Sequence, residues 1–458
     1  MRLRKLGGVL SRRSFLSGAA GLTGALALGT RAFGGRRLQA NDMLDVAVVG
    51  VGGQGAANIA GLLLTGAANI VALCDCDERQ AAESFAKLPN AKRYSDWRKL
   101  LDAEKSVDAV LVATPDHNHA IISIAAMRLG KHVYCEKPLA HSIWEAREMA
   151  RVAAEMKVAT QMGTQGHAYE GTRRAVEAIR AGLIGEVKEL HVWTDRPAGW
   201  WPQGVRRPTD VQPVPAGLDW DVWLGPAHER PYHDAYVPFK WRGFWDFGTG
   251  AIGDMGIHNL DTAYWGLGLG IPTQVTVKDC SPGMMEPETR ETAPLWTISE
   301  LKFPAQDGKP GVTMMWYDGG KLPPDALFQE EKLIGRDGGS LVIGSKGTLF
   351  TRTWHGGQTE GDMFVLLPRK QYEGVSMPAE SVPRTPSHHH EWVDACRGQA
   401  KTLSEFGYAS RLTESLLLGN VAVRTGKAIE WDPSAMRVTN APEAEGFVKP
   451  TFRNGWSL

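Results

Sequence analysis

The chain opens its patterned region with Asp45-Val46-Ala47-Val48-Val49, a short run of β-formers that breaks at Gly50 into a helix-compatible stretch over 56–64. The same order then repeats. Residues 70–73 read as a second strand and Asp77-Glu78-Arg79 begins a helix. Residues 107–113 (Val-Asp-Ala-Val-Leu-Val-Ala) read as a third strand, followed by an apolar helix over 120–129. Lys131-His132-Val133-Tyr134-Cys135, a helix over 142–156 and a last strand within 158–165 complete the series. Strands that read as continuous apolar runs are buried on both faces, and their alternation with helices predicts a doubly wound parallel sheet. In such a sheet, ligands gather at the carboxyl ends of the strands.

The pattern changes after residue 160. Residues 170–181 form a helix capped by Gly182, and 185–193 alternates as a half-exposed strand does. Short strands over 273–279, 295–303, 312–317, 341–344 and 347–351 are separated by Gly/Pro turns, which predicts a largely antiparallel open sheet. Amphipathic helices follow at 391–397 and 409–426. The expected architecture is an α/β N-terminal Rossmann domain over 41–160, preceded by a leader over 1–40. An α+β C-terminal domain over 161–458 carries the large, mostly antiparallel sheet, with its last helices packing back.

Composition narrows the function classes. At 458 residues the chain is long for one core, and its 51 basic and 51 acidic side chains cancel, giving no reason to expect a nucleic-acid partner. Ser11-Arg12-Arg13-Ser14-Phe15-Leu16 resembles the twin-arginine export signal, and a mildly apolar Ala/Gly/Leu run over 18–29 follows it. Leu38-Gln39-Ala40 is a plausible cleavage site; an uncleaved anchor is the alternative. The export machinery is therefore an expected partner, and an extracytoplasmic, periplasmic location is expected. The five cysteines show no metal-type spacing, and buried free thiols are expected rather than a disulfide frame. The chain has 16 Trp against 9 Tyr, and six of these indoles crowd between 196 and 247: Trp200, Trp201, Trp220, Trp223, Trp241 and Trp245. Such a segment is either a loop with its own small core or a lid, and a mixture is expected, with a minority of the rings facing a ligand.

Candidate chemistry starts at the glycine turn. Gly50, Gly52, Gly53, Gln54 and Gly55 form G-x-G-x-x-G between a strand and a helix, which suits a pyrophosphate at the helix N-terminus. Asp75 closes the next strand, where a carboxylate can take the adenosine ribose hydroxyls and repel a 2′-phosphate, favouring NAD over NADP. The alternative for Asp75 is a helix N-cap shared with Asp77. Thr114-Pro115 and Glu136-Lys137-Pro138 fall at strand ends, and the proline disfavours α conformation at Lys137. His117 and His119, two apart on a loop, lack accompanying Cys or carboxylate ligands, so no metal is expected there. Asp254 and His258 are four apart, hence on one helical face behind a glycine-rich turn. His388-His389-His390 cannot chelate one ion, because successive helical side chains diverge by about 100°.

The Gly50 fingerprint, A-T-P-x-x-x-H-A at Ala113, E-K-P-L-A at Glu136 and D-x-x-x-H at Asp254 together resemble the Gfo/Idh/MocA family over about residues 43–435. The resemblance implies a cofactor site lined by Thr114, Pro115, His119, Glu136 and Lys137, with Lys137, Asp254 and His258 as the catalytic set. It further implies a carbohydrate or cyclitol substrate and a homo-oligomer. The expected reaction moves hydride between a sugar, cyclitol or glycoside hydroxyl and the nicotinamide. Free NAD is scarce outside the cytoplasm, so a tightly bound cofactor is expected. A glycosidase using transient oxidation, and a non-catalytic nucleotide-binding sensor, are the alternatives.

Overall fold

A computed structural model describes residues 42–282, 291–329, 337–352 and 364–458; the leader expected over 1–40 lies outside them. Six parallel strands, β1 (Leu44–Val49), β2 (Ala68–Cys74), β3 (Lys92–Tyr94), β4 (Ala109–Val112), β5 (His132–Glu136) and β6 (Thr160–Gly163), lie in the order β3-β2-β1-β4-β5-β6. The order reverses beside β1, the switch point at which such sheets open a crevice. Helices α1 (Gln54–Leu64), α2 (Glu78–Lys87), α3 (Trp97–Ala103), α4 (His119–Arg128) and α5 (Ile143–Met156) connect them. The pleat sorts alternate side chains to opposite faces. Ala47, Val49, Val110 and Val112 join one core with Ile122 and Met149, while Val46, Val48 and Leu111 join another with Ile59 and Leu62. Both faces are therefore apolar, which is why these strands read as unbroken runs. The sheet continues through Gly163, a few residues past the expected boundary at 160.

After α6 (Glu170–Arg180) the chain builds a nine-stranded sheet. Its strands are β7 (Val187–Thr194), β8 (Gln274–Cys280), β9 (Thr297–Phe303), β10 (Val312–Tyr317), β11 (Gly338–Gly344), β12 (Thr348–Arg352), β13 (Phe364–Leu367), β14 (Ile429–Asp432) and β15 (Arg437–Val438). The order is β13-β12-β11-β7-β10-β9-β8-β14-β15. Only the β7–β10 pairing is parallel; the others are antiparallel. Of the two longest helices, α8 (Gly250–Leu267) packs on this sheet and helix Phe406–Thr425 packs on both α5 and α8, so one apolar core runs through both halves. Arg147 on α5 clamps the buried Glu414 of that helix at 2.6 Å, and Trp431 Nε1 donates to the same carboxylate at 3.0 Å.

The Trp-rich segment between β7 and α8 contains α7 (Trp220–Leu224) and gathers Leu218, Trp223, Tyr236, Trp241, Phe244 and Phe247 into its own core. It also straps onto the parallel-sheet half. Glu78 donates its backbone N–H to Gly217 O at 2.8 Å, Asp219 N–H donates to Cys76 O at 2.8 Å, and Asn118 Nδ2 donates to Trp223 O at 2.9 Å. Arg453 pins the strap from outside through Nε to Gly225 O at 2.6 Å.

Candidate active site

A cleft of about 580 Å³ runs from the glycine turn to α8. Its floor is the turn itself. Gly50 sits at φ 81°, where a Cβ would lie 2.5 Å from Ala113 O, and a Cβ on Gly55 would lie 1.9 Å from Gly50 O. Only glycine permits this approach of helix to strand. Gly53 is the N-cap of α1, which has no side-chain cap and no acidic residue in its first turn, so the helix end stays available to an anion. Gly52, Gly53 and Gln54 line the cleft, whereas Gly55 lies behind them as the packing residue.

Asp75 lines the same end. Its carboxylate accepts from Val51 N–H at 2.9 Å and Asp77 N–H at 3.0 Å; burial raises its pKa and these backbone donors oppose the rise. The helix N-cap is Asp77 instead, which accepts from Arg79 N–H at 3.1 Å. The capping role named as the alternative for Asp75 is thus carried by Asp77. The cradle and the acid at the end of β2 fit a dinucleotide: an uncapped helix end for the pyrophosphate, and a fixed carboxylate one strand away for the ribose.

Thr114 and Pro115 line the cleft at the end of β4. His119 does not: it is 1% exposed, with Nδ1 at 2.8 Å from Pro138 O and Nε2 at 2.8 Å from Thr114 O, and burial lowers its pKa to about 4. It braces the two lining loops from behind. His117 likewise turns its ring nitrogens to Phe247 O and Trp223 O. The three successive histidines diverge as helical geometry requires, His388 to Met162 O, His389 to Asn58 and His390 to Ser387.

At the end of β5, Glu136 lines the cleft and accepts at one oxygen from Asn58 and Gln165, both at 2.8 Å, and from Gln54 at 3.4 Å. Burial raises its pKa. Lys137 follows, across a cis bond to Pro138, and reaches over to α8. Its Nζ donates to Asp254 Oδ1 at 2.7 Å and to the Asp254 carbonyl at 3.0 Å. His258, one helical turn further along, faces the same cleft, with Nδ1 at 3.5 Å from Thr164 Oγ1. Burial would raise the Asp254 pKa, but Lys137 and Arg242 outweigh it and hold the group down at about 2.

Several residues that sequence reasoning left unassigned belong here. Arg242 brings Nε to 3.4 Å from Asp254 Oδ1, and nothing in its Trp-rich surroundings marks it in the sequence. Asp116 accepts from Thr249 Oγ1 at 2.8 Å and Thr249 N–H at 3.2 Å, tying β4 to the start of α8; burial raises its pKa to about 7. Asn58 and Gln165 are visible only through their bonds to Glu136. Four of the six indoles, Trp200, Trp201, Trp223 and Trp241, help line the cleft, a majority where a minority was expected. All five cysteines are free, and Cys74, Cys135 and Cys396 are buried.

Residues 44–164 match the model of an oxidoreductase family with an NAD-binding Rossmann fold, and residues 174–284 match the C-terminal alpha/beta domain of the same family. Among curated relatives, levoglucosan dehydrogenase of Pseudarthrobacter phenanthrenivorans is 27% identical over 197 residues, 43% of this chain and 42% of that protein. Myo-inositol 2-dehydrogenase of Thermotoga maritima is 29% identical over 155 residues, 34% of this chain and 46% of that protein. The chain thus spans less than half the length of these relatives. The fold is shared with the aldose-aldose oxidoreductase of Caulobacter crescentus (TM-score 0.58, 16% identity, 85% of this chain and 100% of that one). It is shared also with the WlbA dehydrogenase of Bordetella pertussis (TM-score 0.57, 19% identity, 85% and 99%). With both matched segments together making up half of the chain, and with the fingerprint turn, the lysine and the aspartate–histidine pair converging on one cleft, the chain belongs to the Gfo/Idh/MocA family of oxidoreductases.

Proposed function

We propose that this protein is a nicotinamide-dependent oxidoreductase acting on a carbinol of a sugar, cyclitol or glycoside. The observation that carries the reading is the Lys137–Asp254 ion pair, which shares with His258 a cleft that continues to the glycine turn. A bound dinucleotide would supply the hydride acceptor, held by Gly52, Gly53, Gln54, Asp75, Thr114 and Pro115. His258 accepts the hydroxyl proton, since a neutral imidazole is a competent base near neutral pH. Lys137 stabilises the developing alkoxide, and Asp254 fixes the direction of the ammonium. NAD is favoured over NADP because Asp75 places a carboxylate at the end of β2. Mass determination of nucleotide released from denatured protein tests this directly, and recovery of NADP alone would overturn the preference.

Tight retention of the nucleotide belongs to the same proposal and is supported by the strap across the cleft. A redox-neutral reaction, in which a glycoside is oxidised, cleaved and reduced back, is the second reading that retention favours. Release of an aglycone without net cofactor change distinguishes it. Export by the twin-arginine route is supported by Ser11-Arg12-Arg13-Ser14-Phe15-Leu16 and is tested by cell fractionation. Self-association through the nine-stranded sheet is tested by light scattering.

A further inference from the structure

The substrate end of the cleft carries more positive charge than the proposed chemistry uses. Besides Lys137, both Arg242 and Arg196 line it, against the carboxylates of Asp254 and Asp116. Both arginines are mounted on aromatic rings of the Trp-rich segment. The Arg196 guanidinium lies 3.5 Å above the Trp200 ring, and that of Arg242 lies 4.0 Å above Phe239, 4.3 Å above Trp241 and 6.0 Å above Trp201. Each is fixed by only part of its fork. Arg196 Nη1 donates to Asp195 at 2.7 Å, and Arg242 uses Nε on Asp254 and Nη1 on Phe239 O at 3.2 Å. Among the described residues, Nη2 of both side chains, and Nε of Arg196, have no protein acceptor. Stacking on indole and phenyl rings holds a guanidinium plane in place while leaving its edge donors to a ligand.

From this geometry we propose that the substrate is an anionic sugar, whose carboxylate or phosphate group is received by the free edges of Arg196 and Arg242 while its ring lies along the tryptophans of the cleft. The inference rests on the oxidoreductase reading of the same cleft and adds its substrate class. A planar fork meets either anion with paired N–H donors, which a neutral hydroxymethyl group cannot use as well.

The test compares D-glucose and D-galactose with D-glucuronate, D-galacturonate and D-glucose 6-phosphate on the full chain carrying its nucleotide. Binding is read by tryptophan fluorescence, because five indoles line the cleft, and turnover by absorbance of the reduced nicotinamide. An acid is expected to bind about ten-fold or more tighter than its neutral counterpart, and uronate against phosphate identifies the group. Arg196→Gln and Arg242→Lys, the second keeping charge but not the fork, should each shrink that ratio. An acid that binds preferentially without being oxidised supports the substrate class and overturns the oxidoreductase reading. Neutral sugars bound and oxidised as well as the acids overturn the substrate class alone. Binding of neither series overturns both.

Discussion

Asp254 is the residue on which the site balances, because one of its oxygens takes Lys137 at 2.7 Å and Arg242 at 3.4 Å. Replacing Lys137 or His258 by Ala should lower kcat by on the order of a hundred- to a thousand-fold while nucleotide stays bound; steady-state kinetics beside a nucleotide assay measures both, and undiminished turnover would remove the proposed roles. Asp116 makes a different prediction. Its folded pKa is raised to about 7, so the stability it contributes is fully present below about pH 4 and is lost as pH rises through about 7. The melting temperature of Asp116→Asn, minus that of the unaltered protein, should therefore climb between pH 4 and 8. A flat difference would mean that Asp116 does not hold its proton. At Gly55, an added methyl would sit 1.9 Å from Gly50 O, so Gly55→Ala must push α1 off the sheet and should abolish nucleotide binding, measurable by calorimetric titration.

Among the elements, the strap makes the sharpest prediction. Asn118→Ala removes one donor from Trp223 O; a hydrogen bond worth about 1 kcal/mol corresponds to roughly five-fold faster loss of bound nucleotide. Dilution of loaded protein into excess competing nucleotide reads that rate, and an unchanged rate would sever the strap from retention. This element also shows where sequence reading stopped. Five of the six parallel strands, with helices α1, α2, α4 and α5, were legible because burial on both faces leaves unbroken apolar runs, and the glycine turn because the positive φ of Gly50 and the close approach at Gly55 exclude other residues. β3 was not legible: Lys92-Arg93-Tyr94 is an exposed edge with no apolar signature. Nor was the inward face of the strap, since a tryptophan that packs a loop and one that lines a cleft look alike in sequence. His119 sits in the family pattern, but its geometry makes it a brace for Thr114 and Pro138.

At the scale of the whole molecule, the core is continuous from α5 through helix Phe406–Thr425 to α8, so the two sheets should unfold together. Glu414→Ala leaves Arg147 without its buried partner and should cost about 3 kcal/mol of global stability, with one calorimetric transition throughout. Two separated transitions would show that the halves are independent. The pinning of the strap by Arg453 has a further consequence, for the order of events in biosynthesis. Gly225 and Arg453 are 228 positions apart in the sequence, so a growing chain has its glycine turn and Asp75 long before the strap beside them can be pinned. If the strap retains nucleotide as proposed, nucleotide that meets the nascent chain can leave again, and retention begins only after residue 453 has been made. On the proposed reading, cofactor acquisition becomes a late, post-synthetic commitment, made only once the C-terminal segment is in place.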